Sequence, residues 1–352
     1  MGKRQFIIDG HTIHDDSDAF VIAEIGANHC GNIETCKQLF QAAKACGANA
    51  VKLQKRDNQS LFTKGMYHKP YASRHAFGES YGAHREALEF GWDEYVELKA
   101  YANDLGITFF ATAFDLKSVE FLMKLDVPAF KTSSSDLKNI PLLKAVASTG
   151  KPIILSTGGG TMEDVLRAFE ALTQNHQNFC LLQCTVGYPA KIDTLDLRVI
   201  ETYRKVFPGQ VIGLSSHDET TVTSVVAYAL GARVIEKHFT LNRMWKGTDQ
   251  SFSLEPKDLQ QMVQDLKVAR LSLGQSTKRL HAGENETLIK IGKKIVAAHP
   301  LRAGKILEPN DIAFKSPGDG LHPYYFEQVL GKRLKHNISQ DENIQLDALQ
   351  VE

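Results

Sequence analysis

Eight short, nearly uninterrupted apolar runs recur down the chain: FVIAEIG from residue 20, ANAVKLQ from 48, GITFFAT from 106, AFKTS from 129, PIILSTG from 152, FCLLQCT from 179, QVIGLSS from 210 and ARVIEKHFT from 232. Each is too short for an ordinary helix and too uniformly apolar for a strand with one wet face. Such runs read as strands buried on both sides, as in a parallel sheet covered by helices. Amphipathic segments lie between them, among them ETCKQLFQAAKACG, WDEYVELKAYANDLG, DLKSVEFLMKL and TMEDVLRAFEALTQ. Several end on glycine where a helix C-cap falls. Eight strand–helix units within about 260 residues match the usual size of a (β/α)8 barrel, about 250. A doubly wound sheet is the rival, but no glycine-rich dinucleotide loop follows the first run. The expected fold is therefore α/β, a TIM barrel.

The regular spacing breaks twice. Between LQKRD and WDEY lies LFTKGMYHKPYASRHAFGESYGAHREALEFG, polar but rich in aromatics, which argues for a functional loop over a disordered one. Near residue 275 the polar stretch QSTKRLHAGENETL reads as a linker. Short strand-like runs punctuated by RAGK, SPGDG and SQDE follow it. The expected domains are a barrel over 1–282 and a small β-rich domain over 283–352. Lys and Arg balance Asp and Glu at 41 each, and no run of five like charges occurs, so neither nucleic acid nor an anionic membrane is expected as a partner. The opening residues lack the apolar core of a signal peptide, and no stretch reaches transmembrane length. Five cysteines with no CxxC pair suit reduced thiols in a cytoplasmic protein.

In such barrels the chemistry collects at the carboxyl ends of the strands. Those positions hold Glu24 with Asn28 and His29 beyond it, Lys52 and Gln54, Thr112, Lys131 with Ser134 and Asp136, Ser156, Thr185 and Tyr188, Ser215 and His217, and Glu236 and His238. Lys52/Gln54, Ser215/His217 and Glu236/His238 lie two apart, so each pair faces one side of its strand. Any one of these alone reads as an ordinary polar strand end. Together, a carboxylate, two lysines and several hydroxyls are costly to bury without partners, and they suit a highly charged anion. His217 and His238 end neighbouring strands and are the leading metal ligands, with His29 the next. Satisfied structural histidines stand as an equal alternative at this point. The glycines of STGGG would let backbone N–H groups approach a phosphate.

The segments IAEIGANHCG, AVKLQKRD, ITFFATAFD, PAFKTSSSD, GKPIILSTG, LLQCTVGYP, GLSSHD, VIEKHFT and KGTDQSFSLEP, in that order, resemble the sialic acid synthase family. The C-terminal segment resembles that family's antifreeze-like, or SAF, domain. The resemblance implies condensation of phosphoenolpyruvate with N-acetylmannosamine or its 6-phosphate, and a homodimer in which each C-terminal domain covers the partner's active site. It implies Mn²⁺ or Mg²⁺ on His217 and His238, and phosphoenolpyruvate on Lys52, Lys131, Ser134, Ser156 and Ser215. Gln54, Asp136, Tyr188 and Asp249 fall near the sugar, with Thr112 among the substrate-binding groups. Glu24 matches the family's strand-one glutamate. Glu24 or Glu236 would transfer the proton, and the sequence does not choose between them.

Two positions depart from the family pattern. Val186 stands where bacterial members often carry asparagine, and Ser316 where many carry an arginine over the N-acyl group. The stretch KPYASRHAFGESYGAHREALEF resembles the loop of animal-type synthases, which use the phosphorylated sugar. Arg74, His75 and Arg85 are its phosphate-binding candidates. The alternatives are a related 3-deoxy-ulosonate synthase of the legionaminate, pseudaminate or KDN type, or an inactive saccharide-binding protein.

Overall fold

The computed structural model describes residues 4–174 and 176–350. The chain divides into two compact units after Gly274.

Eight parallel strands close the first unit into a barrel: β1 (Phe20–Gly26), β2 (Ala50–Lys55), β3 (Thr108–Ala113), β4 (Phe130–Thr132), β5 (Ile153–Ser156), β6 (Phe179–Cys184), β7 (Val211–Ser216) and β8 (Val234–His238). Each pairs with its sequence neighbour. β8 closes the ring on β1, with His238 opposite Glu24. Every residue of β1, β3, β6 and β7 is buried, which is why these runs carry no polar alternation.

A helix follows each strand: α1 (Ile33–Ala45), α2 (Trp92–Leu105), α3 (Leu116–Leu125), α4 (Ile140–Ala147), α5 (Met162–Thr173), α6 (Val199–Val206), α7 (Val222–Ala229) and α8 (Pro256–Leu273). Their starts are written in side chains. Asn32, Asp115 and Thr161 each accept a hydrogen bond from an amide three residues on. Gly106 ends α2 at φ +64.

An antiparallel hairpin, Gln5–Ile8 with His11–His14, precedes the barrel. Asp9 and Gly10 both take positive φ, as a two-residue turn of this kind requires. Phe6, Ile8 and Ile13 join the barrel core. The hairpin docks where strands begin: Thr108 Oγ1 donates to Asp9 and the Asn178 amide donates to the Ile7 carbonyl. It therefore plugs the end opposite the strand-terminal polar residues. The stretch between β2 and α2 carries three short helices, Asn58–Leu61, Lys64–Tyr67 and Tyr81–Glu86.

The second unit has its own core of Ile295, Leu301, Leu307, Leu334, Ile338 and Ile344 around a strand pair, β9 (Lys294–Ala297) with β10 (Ile312–Lys315). Among the described residues no helix is long and apolar enough to cross a membrane. All five cysteines are free.

Candidate active site

The carboxyl ends of the strands open into a cavity of about 680 Å³. At its floor sit two lysines and two glutamates, each 5% exposed or less. Lys52 Nζ lies 2.6 Å from Glu24 Oε2 and donates to Thr112 Oγ1 at 2.8 Å. Glu236 Oε1 lies 3.8 Å from both Lys52 and Lys131 and accepts from Ser215 Oγ at 3.0 Å. Lys131 donates to Ser156 Oγ at 2.6 Å. The quartet is formally neutral, which is how four charges survive burial.

The two carboxyls are driven apart. Burial pushes Glu24 up, against the pull of Lys52, and the neighbouring Glu236 charge adds to the rise. Burial also acts on Glu236, but Lys131 and Lys52 outweigh it and hold that carboxyl below the usual range. Burial lowers Lys131 as well. Two carboxyls separated in this way commonly divide into a proton carrier and a fixed charge.

Gln54 bridges upward from this floor, its Nε2 donating to Glu24 Oε1 at 2.7 Å. The backbone beside it is Gly26, at φ +54 on a register shift of β1. A Cβ there would stand 3.1 Å from Glu24 Oε1 and 3.2 Å from Gln54 Nε2. A side chain there would press on both ends of that hydrogen bond, and φ +54 itself favours glycine.

His217 and His238 stand with ring centroids 5.3 Å apart. The Thr185 carbonyl accepts from His217 Nδ1 at 3.1 Å, which fixes the tautomer and leaves Nε2 a free lone pair. Burial and the nearby His238 push His217 down to about 4, and burial lowers His238. Both imidazoles are therefore neutral, the form that binds a metal. Phe252 packs against both rings. Among the described residues buried His238 Nδ1 and Glu236 Oε2 have no hydrogen-bond partner, and Asp249 Oδ2 lies 4.0 Å from the former. Among the described residues no three His, Cys, Asp or Glu side chains form a closed metal cage. Two neutral imidazoles beside orphaned polar atoms fit a divalent ion that keeps open positions for substrate oxygen.

Behind the histidines, on the outer face of the strands, Lys237 pairs with Asp218 at 3.0 Å, both almost fully buried. Asp218 also accepts from Ser216, Thr220 and Thr223. These outward residues are the sequence neighbours of the two histidines and tie the ends of β7 and β8 together.

Of the residues expected from sequence, Glu24, Lys52, Gln54, Thr112, Lys131, Ser134, Ser156, Tyr188, Ser215, His217, Glu236, His238, Asp249 and Arg85 line the cavity. Asp136 does not. It lies on a 3-10 turn, and its carboxylate accepts from Ser133, Ser135 and Asn139 behind the lining serines. Arg74 is exposed, donates to His75 Nε2 and lies off the cavity lining. His29 stacks on Phe90, and its Nδ1 accepts from the Gly31 amide, so it serves the loop rather than a metal. Asn28 clasps Phe239 and Ser253. In the STGGG turn the Gly158 amide is already spent on Ser134 Oγ. Ser316 lies in the second unit, bonded to Lys293 and the Ile291 carbonyl. Two charged cavity residues were missed, Arg56 and Lys138. Arg56 was within reach, because it shares the parity of Lys52 and Gln54.

Residues 39–278 match the NeuB family and residues 294–350 match the SAF domain. The chain is 38% identical to the N-acetylneuraminate-9-phosphate synthase of Homo sapiens, over 95% of this chain and 94% of that one. It is 37% identical to the enzyme of the same name from Mus musculus, over 97% and 95%. The crystal structure of N-acetylneuraminic acid synthetase from Leptospira borgpetersenii serovar Hardjo-bovis superposes with a TM-score of 0.72 at 30% identity, covering 81% of this chain and 95% of that one. The chain belongs to the NeuB family, as a divalent-metal-dependent enzyme that joins phosphoenolpyruvate to a second substrate through a new C–C bond and makes a 3-deoxy-ulosonic acid of the sialic acid kind.

Proposed function

We propose that the chain condenses phosphoenolpyruvate with N-acetylmannosamine 6-phosphate, or with the free sugar, giving N-acetylneuraminate 9-phosphate or N-acetylneuraminate and inorganic phosphate. The observation that carries this reading is the neutral lysine–glutamate quartet at the cavity floor, next to two neutral histidines. In the proposed reaction Lys52, Lys131, Ser134, Ser156 and Ser215 hold the phosphate and carboxylate of phosphoenolpyruvate, turning binding into alignment. Its C3 attacks the aldehyde carbon, and the aldehyde oxygen takes up a proton. Water adds at C2 and loses a proton. Phosphate then departs with the electrons of its C–O bond and takes up the proton of the new C2 hydroxyl, leaving the C2 ketone. Mn²⁺ or Mg²⁺, which His217 and His238 would hold, supplies Lewis-acid polarisation of the aldehyde.

Glu24 is the better proton carrier of the two glutamates. Its carboxyl is biased upward, and Oε2 lies 2.6 Å from Lys52 Nζ, so a proton can pass between them. Glu236, held ionised by two lysines, keeps those lysines placed. Gln54, Tyr188 and Asp249, which line the cavity, are assigned to the sugar in this reading. The enzyme is further proposed to be cytoplasmic and to work as a two-fold dimer whose C-terminal domains cover the partner's mouth. Sedimentation of the active enzyme as a monomer would refute that assembly.

Val186 and Ser316, the two departures from the family pattern, favour a second reading, a related 3-deoxy-ulosonate from a different amino sugar. One assay separates the two. Phosphate release from phosphoenolpyruvate with Mn²⁺ is followed across N-acetylmannosamine, its 6-phosphate, other amino sugars and simple aldoses. Turnover of N-acetylmannosamine or its phosphate is the expected result, and turnover of only another sugar selects the second reading. Chelation is expected to abolish activity and Mn²⁺ to restore it. Full activity in metal-free buffer overturns the histidine assignment.

A further inference from the structure

Two guanidinium groups at the rim of the cavity have no part in the chemistry above. Arg56 follows directly on β2. Lys52, Gln54 and Arg56 occupy alternate positions, so all three face the cavity, one above another. Lys52 touches Glu24 at the floor, Gln54 donates to Glu24 one step up, and Arg56 Nη2 donates to Gln54 Oε1 one step higher. The Arg56 guanidinium lies 3.9 Å from the ring centre of Phe114, which holds it flat against the wall.

The second group is Arg85, on the short helix Tyr81–Glu86 of the stretch between β2 and α2. Its Nε and Nη2 both donate to Tyr81 Oη, at 3.1 and 3.0 Å, which leaves Nη1 free. His75 Nδ1 in the same stretch lies 3.3 Å from the Gly247 amide nitrogen of the loop after β8, so the segment packs against the mouth.

Neither arginine has a carboxylate within 4.0 Å among the described residues. Several arginines elsewhere do, with Arg4 and Arg204 on Asp15 at 2.9 and 2.8 Å and Arg243 on Asp258 at 2.5 Å. Burial and the charge of Arg85 both pull Arg56 below its ordinary value. Two like charges on one wall, with donors unused, are unfavourable until a multiply charged anion joins them. The step from Gln54 to Arg56 is two residues, roughly 6–7 Å along a strand. That is comparable to the span of an open-chain hexose from its aldehyde carbon to C6.

We propose that Arg56 and Arg85 form a phosphate clamp at the rim, selecting an amino-sugar aldehyde that carries a phosphate ester at the end remote from the aldehyde. This rests on the condensation proposed above and names its substrate class. Arg74 and His75 stay outside the clamp, since they bond each other off the cavity lining.

The test compares kcat/KM for N-acetylmannosamine 6-phosphate and for N-acetylmannosamine in the full-length wild type, Arg56→Gln, Arg85→Gln and Arg56→Lys. A charge-assisted contact to phosphate is worth enough that each glutamine variant lowers the phosphorylated-to-free ratio by about 10- to 100-fold. The loss falls on KM for the sugar phosphate, and lysine at position 56 restores part of it. An unchanged ratio with both rates falling together overturns the clamp in favour of a structural role. A loss confined to KM for phosphoenolpyruvate overturns it by assigning the arginines to the other phosphate. A wild type that uses only the free sugar also overturns it, while leaving the condensation intact. If no sugar releases phosphate, the condensation fails separately. Thermal stabilisation by N-acetylmannosamine 6-phosphate, lost in Arg56→Gln, then still reads the clamp, and no stabilisation in the wild type overturns it.

Discussion

Replacing Glu236 by glutamine removes one negative charge from a buried quartet and leaves its shape almost unchanged. Glu236 Oε1 lies 3.8 Å from both Lys52 and Lys131, and Lys52 retains Glu24 at 2.6 Å. Lys131 keeps only hydroxyl and carbonyl acceptors, on Ser156 and Thr132. Breaking a buried ion pair from one side costs about 3–5 kcal/mol. An independent limit agrees. Lys131, already lowered by burial, can escape by shedding its proton. From a reference value near 10.4, neutralising a lysine at pH 7 costs at most about 4.6 kcal/mol. At about 2 °C or less per kcal/mol for a unit of this size, the ligand-free melting temperature should fall by roughly 5–10 °C. Phosphoenolpyruvate brings back negative charge, so it should raise the melting temperature of Glu236→Gln more than that of wild type, without weaker binding. Turnover should fall, because the lysines lose their anchor. Calorimetry with and without phosphoenolpyruvate, titration calorimetry and phosphate release measure the three effects. A variant with wild-type melting temperature and a smaller response to phosphoenolpyruvate would refute charge coupling in the quartet.

Three further outcomes follow from the same structure. Lys237→Met strands the buried Asp218 carboxylate and should cost about 3–5 kcal/mol, whereas Lys237→Met with Asp218→Asn should recover most of that; denaturant titration of the singles and the double reads the coupling. Gly26→Ala forces a Cβ into the Glu24–Gln54 contact at φ +54, so stability should drop by about 1–2 kcal/mol or more and kcat with it; unchanged kinetics would show that this hydrogen bond is dispensable. Burial lowers His29 to about 3 and lowers His84 to about 4, the latter aided by Arg85, so the unfolded chain binds more protons than the fold once pH drops below 6.5. The stability tied to the neutral rings is whole above pH 6.5 and is lost as pH falls toward 4; His84→Gln should therefore show a shallower fall of melting temperature from pH 6.5 to 4.5 than wild type.

The barrel was legible because burial on both faces leaves a compositional mark that survives without any alignment. The same two-residue parity placed Lys52, Gln54, Ser215, His217, Glu236 and His238 inward. It lapsed where the backbone ceased to be a strand. Ser134 and Asp136 lie on a 3-10 turn, where two residues turn about 240°. Ser134 therefore reaches the cavity while Asp136 turns behind it. Arg56 was missed for the opposite reason. The apolar run ends at Gln54, yet strand parity persists to Lys55 and the residue after it. The hairpin turn at Asp9–Gly10 was visible in principle as an Asp-Gly pair between alternating residues. The helices between β2 and α2 have only four to six residues, too short for hydrophobic periodicity to register, although Asp57, Thr63 and Ser80 each cap one.

Strand parity also shows why the metal-binding pair and the ion pair behind it belong to one device. On β7 and in the residues just after it, Ser215 and His217 point inward and Ser216 and Asp218 outward. On β8, Glu236 and His238 point inward and Lys237 outward. On the inner face Ser215 donates to Glu236 Oε1 at 3.0 Å, whereas His238 Nδ1 and Glu236 Oε2 have no partner among the described residues and stay open to the cavity. Strand ends with open inner faces would splay unless held from outside. The Asp218–Lys237 pair supplies that hold at the same level, with Thr220 and Thr223 filling the remaining carboxylate sites. A paired charge can be exchanged for apolar packing with little loss of stability, but not with the same fixed geometry. The double variant of Asp218 and Lys237 should therefore fold nearly as stably as wild type and bind Mn²⁺ more weakly, so that stability and metal affinity separate. Equal Mn²⁺ affinity in that variant would show that the barrel wall alone sets the two rings 5.3 Å apart.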